Sequence, residues 1–366
     1  MKKYLFIVFA AMLAIGCGNR EANVIKIGAI VFLTGESSSL GEPLKNGLLL
    51  AEQHINENGG IKGKNVKLII EDSQSTPKGT INAFNKLISQ GVIGIISTGD
   101  NEFRAINNLL DKKNIPVIAT ACTGGIDDRS PWLFRYCYSE QSQDKDLVEF
   151  IISTLGYNKL SLIYPNTLYG QDIKKYTSEY HIAFGGTIVS ANAYQTESVN
   201  QRDLVLNALK NSPEVICVRG IGSAFETIIR NIRENNDKVQ IIGDVTIGLP
   251  TTINNLGSIL NGVYYVASEL DTQSNRPIVQ KYVSDYYDLH KVNPSFWDAL
   301  GYDSLIFMAT AINQTEENSP QQIRETIKSL KDVDCLLGVN NFNDNGDLNF
   351  RTSVYKIDNN LSIIVK

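Results

Sequence analysis

From residue 24 onward, short apolar runs alternate with stretches of helical period. The run 24–32, VIKIGAIVF, reads as a strand. Leu44, Leu48, Ala51 and Ile55 then recur at helical spacing, in a helix that starts near Pro43, a residue tolerated in a first turn. A strand over 66–71, a helix with Ile81, Phe84, Leu87 and Ile88 on one side, a strand over 92–97 and a helix over 103–111 lead to 115–119. There Pro116 stands at a strand's start, where a missing N–H is tolerated, and Val117 and Ile118 carry no charge, as a central strand covered on both faces requires. Such alternation predicts a parallel sheet with right-handed crossovers, an α/β fold.

A second series of the same unit begins after 131–135. Helices are predicted over 143–155, 171–184, 202–209 and 224–235, and strands over 159–164, 187–193, 214–219 and 238–243. Two such series mean two similar lobes and not a sequence repeat. The last part of the chain departs from this rhythm, with a strand over 262–267, helices over 277–290, 295–312 and 320–330, and a segment 338–365. That segment holds Asn343-Asp344-Asn345-Gly346-Asp347, which reads as a hairpin turn between two strands. As a calcium loop it lacks the distal Glu.

The first residues follow another pattern. Lys2 and Lys3 precede an apolar run over 4–15, the length of a secretory h-region and too short for a membrane span. It ends in Leu13-Ala14-Ile15-Gly16-Cys17, which resembles a bacterial lipobox. Residues 1–17 are thus expected to be a lipoprotein signal peptide whose cleavage leaves Cys17 lipidated, and 18–23 a short tether. Several acyl chains anchor stably. The rest is long enough for about two domains. A net charge of −5 carries no basic footprint and argues against nucleic acid as a partner.

Chemistry-bearing motifs are scarce. No nucleophile elbow, zinc-protease, phosphate-loop or dinucleotide motif is present. His54, His181 and His290 all fall in helical segments without a nucleophile–base partner, so an enzyme is not expected. Four cysteines follow Cys17, namely Cys122, Cys137, Cys217 and Cys335, without metal-ligand spacing; Cys217, inside an apolar run, reads as a buried thiol. No metal or cofactor is called for. The most suggestive stretch is 120–125, where Thr120, Ala121, Cys122, Thr123, Gly124 and Gly125 leave backbone N–H groups and hydroxyls uncovered beyond a strand's carboxyl end. Open α/β sheets bind ligands there, and this loop suits a carboxylate or another small acceptor.

Several stretches together resemble one family. GEPLKNGLLLAEQHINENGGIKGKNVKLIIEDSQSTP (41–77), NIPVIATACTGG (114–125) with RSPWLFR (129–135), LIYPNTLYGQD (162–172) and FNDNGDLNF (342–350) are similar, in order, to the branched-chain amino-acid-binding (Leu/Ile/Val-binding) receptors of ABC importers. The resemblance implies the periplasmic binding protein type I fold: two Rossmann-like lobes with parallel central sheets, joined by three hinge crossings near 138–141, 268–271 and 336–338. Lobe 1 would comprise 24–138 and 271–336, and lobe 2 would comprise 139–270 and 337–366.

Carried over by position, contacts to an amino acid's carboxylate and ammonium fall on Ala121 and Thr123, which match the pattern. A serine contact falls near Asn101 and an aromatic one on Leu40, both departures; the neighbouring Asp100 would repel a carboxylate if it faced the cleft. The second-lobe tyrosine is kept as Tyr169, and a further aromatic position falls near Ile221. The acidic residue holding the ammonium falls on or beside Val245, with Asp244 one position earlier. For Tyr169 and Asp244 the structural alternatives are loop packing and helix capping. The ligand implied is an amino acid or a related organic or aromatic acid or amide. The function implied is a lipid-anchored, extracytoplasmic solute receptor that closes on its ligand and docks on an ABC permease. A sensory or regulatory receptor on the same fold is the alternative, and an exported hydrolase built on Cys122 the remote one.

Overall fold

The computed structural model describes residues 24–366 apart from 121–128, 199, 221, 269, 349 and 351; of Asn101 and Val339 it describes the backbone alone. The chain opens with β1 (Val24–Val31), α1 (Ser38–Glu57), β2 (Asn65–Asp72), α2 (Pro77–Ser89), β3 (Ile95–Thr98), α3 (Asp100–Lys113), β4 (Val117–Thr120) and β5 (Leu133–Arg135). The strands form one parallel sheet in the order β2-β1-β3-β4-β5. β3 and β4 are buried throughout, as a sheet with helices on both faces demands.

The second series is α4 (Glu140–Glu149), β6 (Lys159–Pro165), α5 (Leu168–Ala183), β7 (Thr187–Tyr194), α6 (Arg202–Leu209), β8 (Val215–Val218), α7 (Gly222–Asn235), β9 (Gln240–Gly243), α8 (Pro250–Leu256) and β10 (Tyr264–Ser268). Its strands run parallel in the order β7-β6-β8-β9-β10, the topology of the first sheet repeated. The predicted α/β class and paired sheets are therefore present.

α9 (Pro277–His290), α10 (Phe296–Gln314) and α11 (Pro320–Ser329) follow. α10 packs on α1 so closely that a Cβ on Gly47 would fall 1.8 Å from the Asp298 carbonyl oxygen, and one on Gly301 2.2 Å from that of Leu44. After β11 (Val333–Cys335) and β12 (Gly338–Asn340), β13 (Thr352–Asp358) joins β10 antiparallel and β14 (Leu361–Ile364) joins β13.

Four expectations need correcting. α1 starts at Ser38 and takes Pro43 into its body, because its first turn packs against the strand exit: a Cβ on Gly41 would meet the Phe32 carbonyl oxygen at 1.7 Å. α3 likewise starts at Asp100, and α5 at Leu168, where Thr167 accepts from the Gly170 N–H at 3.1 Å. The hairpin around 343–347 does not form, since β12 pairs with β11 and β13 with β10 and β14. Its turn exists, with Asn343 Oδ1 accepting from the N–H groups of Asn345 and Asp347. It docks on β5 instead: the Arg135 N–H donates to the Gly346 carbonyl at 2.8 Å, and Arg129 and Arg135 both pair with Asp347.

Candidate functional site

In a sheet ordered 2-1-3-4-5 the chain leaves the first and third strands in opposite directions, and a crevice opens beyond their carboxyl ends. Here this happens twice, and both crevices face one cleft, about 770 Å³ when the open solvent at its mouth is included. From the first sheet, β1 delivers Phe32, Glu36, Ser37 and Leu40, and β3 delivers Gly99, Asp100 and Glu102. From the second, β6 delivers Pro165, Thr167 and Tyr169, β7 Thr196, β8 Gly220, and β9 Val245 and Thr246. Tyr138, between the two series, and Trp297 at the start of α10 complete the wall.

Contacts among the described residues span the cleft. Thr196 Oγ1 donates to Glu36 Oε2 at 2.8 Å, and Arg104 on α3 stands 3.8 Å from Asp172 on α5.

The charge on this wall is one-sided: Glu36, Asp100 and Glu102 line it, and no Lys or Arg does among the described residues. Glu102 is 5 % exposed. Its carboxylate lies against Gly99, where φ is +90° and a Cβ would fall 2.3 Å from Glu102 Oε2 and 2.5 Å from the Phe32 ring. Burial first, then the nearby charges of Asp100 and Glu36, push its pKa up to about 7, although its own backbone N–H donates to it. Among the described residues no His, Cys, Asp and Glu group converges as metal ligands would.

Behind the wall lies a second charged group. Arg219, at the end of β8, is fully buried and pairs with Glu140 and Asp144 on α4 and with Asp244 at 3.3 Å. Burial raises the pKa of Asp144 against the pull of Arg219, while Thr177 Oγ1 donates to it at 2.9 Å. Asp244 accepts from the Tyr169 hydroxyl at 3.2 Å, from the Gly220 N–H at 3.1 Å and, on its other oxygen, from the Thr246 N–H at 3.0 Å, where it caps a short 3₁₀ turn.

The residues singled out from sequence therefore divide. Leu40, Tyr169 and Val245 stand on the cleft wall; Asp244, 1 % exposed, sits behind it and serves Arg219 and the backbone. Asn101 falls in the first turn of α3. Ala121, Thr123, Ile221 and Cys17 lie outside the described residues, as does Cys122. Cys137, Cys217 and Cys335 are buried free thiols. His54 bonds Tyr302 and Asp285, each at 2.8 Å, and His181 the Asn158 carbonyl at 2.9 Å; no histidine lines the cleft.

Sequence reading missed Phe32, Glu36, Glu102, Tyr138, Thr196 and Trp297. The positions of Phe32 and Glu102, just past β1 and β3, could have flagged them; Trp297 comes from a helix far away in the chain and had no such signal.

The comparisons with known proteins agree with this architecture. A family model described as periplasmic binding protein matches residues 24–360. A Leu/Ile/Val-binding protein homologue of Brucella abortus is 24 % identical over 362 residues, 95 % of this chain and 94 % of its own. Among solved structures, a leucine-binding protein from Thermotoga maritima superposes with a TM-score of 0.87 at 20 % identity, over 93 % of this chain and 98 % of that one. The branched-chain amino acid transporter substrate-binding protein of Streptococcus pneumoniae, in complex with isoleucine, does so at 0.84 and 19 %, over 93 % and 99 %.

Proposed function

Because the chain belongs to the periplasmic binding protein family, extracytoplasmic solute-binding proteins that are not enzymes, we propose that it is the receptor of an ABC importer, capturing an amino acid or a related small molecule between two lobes. Lobe 1 is taken as 24–138 with 271–336 and lobe 2 as 139–270 with 337–366, crossing near 138–141, 268–271 and 336–338. Cys17 would carry the lipids that keep the receptor at the cell envelope, within reach of a membrane permease. Ala121, Thr123, Asn101 and Ile221 belong to the ligand's surroundings in this reading, beside Leu40, Tyr169 and Val245.

The observation that carries the proposal is a single cleft walled from both sheets at their switch points. A ligand touching both walls binds the closed form better than the open one, and that difference in binding energy drives closure. The test is a thermal-shift screen of the protein against amino acids, organic and aromatic acids, amides and amines. A ligand at a hundred times its dissociation constant adds about 2.7 kcal/mol, and X-ray scattering should show compaction with the same compound. A screen without any hit would overturn transport in favour of a regulatory receptor.

A further inference from the structure

Resting on that reading of the cleft as a solute site, we propose that the ligand carries a protonated or quaternary nitrogen, and that Glu102, with Asp100 and Glu36 around it, holds this nitrogen at the first turn of α3. Ordinarily three acids on the wall of a cavity are solvated charges of no consequence. Here the wall takes its shape from Phe32, Leu40, Tyr138, Tyr169, Val245 and Trp297, and holds no cation among its described residues. Glu102 is almost wholly withdrawn from water, yet among the described residues no cation stands beside it; the charges that act on it are two further carboxylates. A buried carboxylate with that surrounding is costly to ionise, and a cation from outside the chain is the group that relieves it.

Two observations direct the charge to this end of the cleft. Asp244, the acid nearest the position first assigned to a counter-charge, is used up by Arg219, Tyr169 and two backbone N–H groups, and no face of it lines the cavity. Arg104, two residues from Glu102 and so on another side of α3, stands 3.8 Å from Asp172 across the mouth. Aromatic rings beside the acids also suit a cation, since their faces attract positive charge. The chemical class is thus a small organic cation, a zwitterion included, with an apolar or aromatic skeleton, and not a simple anion.

The experiment titrates the wild type and Glu102→Gln by calorimetry with L-isoleucine, 2-methylbutylamine, 3-methylpentanoate, choline and benzoate, followed by whichever compounds hit in the wider screen. Binding is expected from compounds with a cationic nitrogen and not from 3-methylpentanoate or benzoate, and Glu102→Gln should weaken it tenfold or more. Folding of the variant is checked by its own unfolding transition. Glu102→Asp, which keeps the charge on a shorter arm, should recover part of the loss. A ligand bound equally well by Glu102→Gln, or a preference for the nitrogen-free acids, would overturn the proposal and leave the receptor standing. No ligand of any class in the full screen would overturn the transport reading itself, in favour of a regulatory receptor.

Discussion

Glu102 has a raised pKa, about 7 against the ordinary 4.5, and the sign of its effect on stability follows directly. Between those two values the folded chain retains a proton that the unfolded chain has released. Its contribution is therefore complete below pH 4.5, declines as pH rises toward 7 and is gone above it. Glu102→Gln should remove that slope and, at pH 8, raise the unfolding free energy by at most about 3 kcal/mol. The check is the difference between variant and wild type across pH 5–8, in which the similarly raised Asp303 cancels. A flat difference would mean that Glu102 is as well solvated as a surface acid. A residue that weakens the fold where a ligand would sit is what a binding site is expected to contain. Arg219 presents the opposite case. Removing it in Arg219→Met would leave Glu140, Asp144 and Asp244 buried without their counter-charge, at a cost of roughly 3–5 kcal/mol. Urea unfolding measures this, and a loss under about 1 kcal/mol would show that the three acids are mostly protonated without it.

The elements show where local pattern suffices and where contacts intervene. α6 and α9 begin and end at the residues that periodicity and capping predict, Arg202–Leu209 and Pro277–His290. By contrast α1 and α3 extend toward the cleft beyond the predicted starts, because close packing on the strand exits and acids in a first turn favour those extra residues. These extensions bring Leu40 and Glu102 to the wall. The turn at 343–347 was legible, but not the strands it joins, since Asn343 organises it locally while Arg129 and Arg135 decide where it lies. The α1–α10 contact is equally non-local. A methyl group at Gly47 would collide with backbone, which cannot move aside as a side chain could. Gly47→Ala should accordingly cost about 1–3 kcal/mol, seen as a lower denaturation midpoint with an unchanged circular dichroism spectrum; a gain in stability, as at an ordinary helical glycine, would show that the helices separate freely.

At the scale of the whole molecule, two sheets of one topology meet face to face at their switch points, and the cleft is the consequence. Contacts across it among the described residues include a hydroxyl–carboxylate bond from Thr196 to Glu36 and a partly exposed pair of Arg104 and Asp172. Surface pairs of this kind contribute little; in the proposed receptor, a ligand touching both walls would supply the energy that favours closure.

The amino-acid sequence by itself determined the alternation of strands and helices, the parallel sheets, the doubling of the unit and the resemblance to a solute receptor, because period, capping and turn chemistry act over a few residues at a time. It also singled out Tyr169, Leu40 and Val245, which stand on the cleft wall. Only the tertiary structure decided that Asp244 turns away to Arg219, that Trp297 returns from a distant helix, and that Glu102 loses its water beside Phe32. Those outcomes depend on which surfaces exclude solvent from one another, and residues far apart in the chain settle that together.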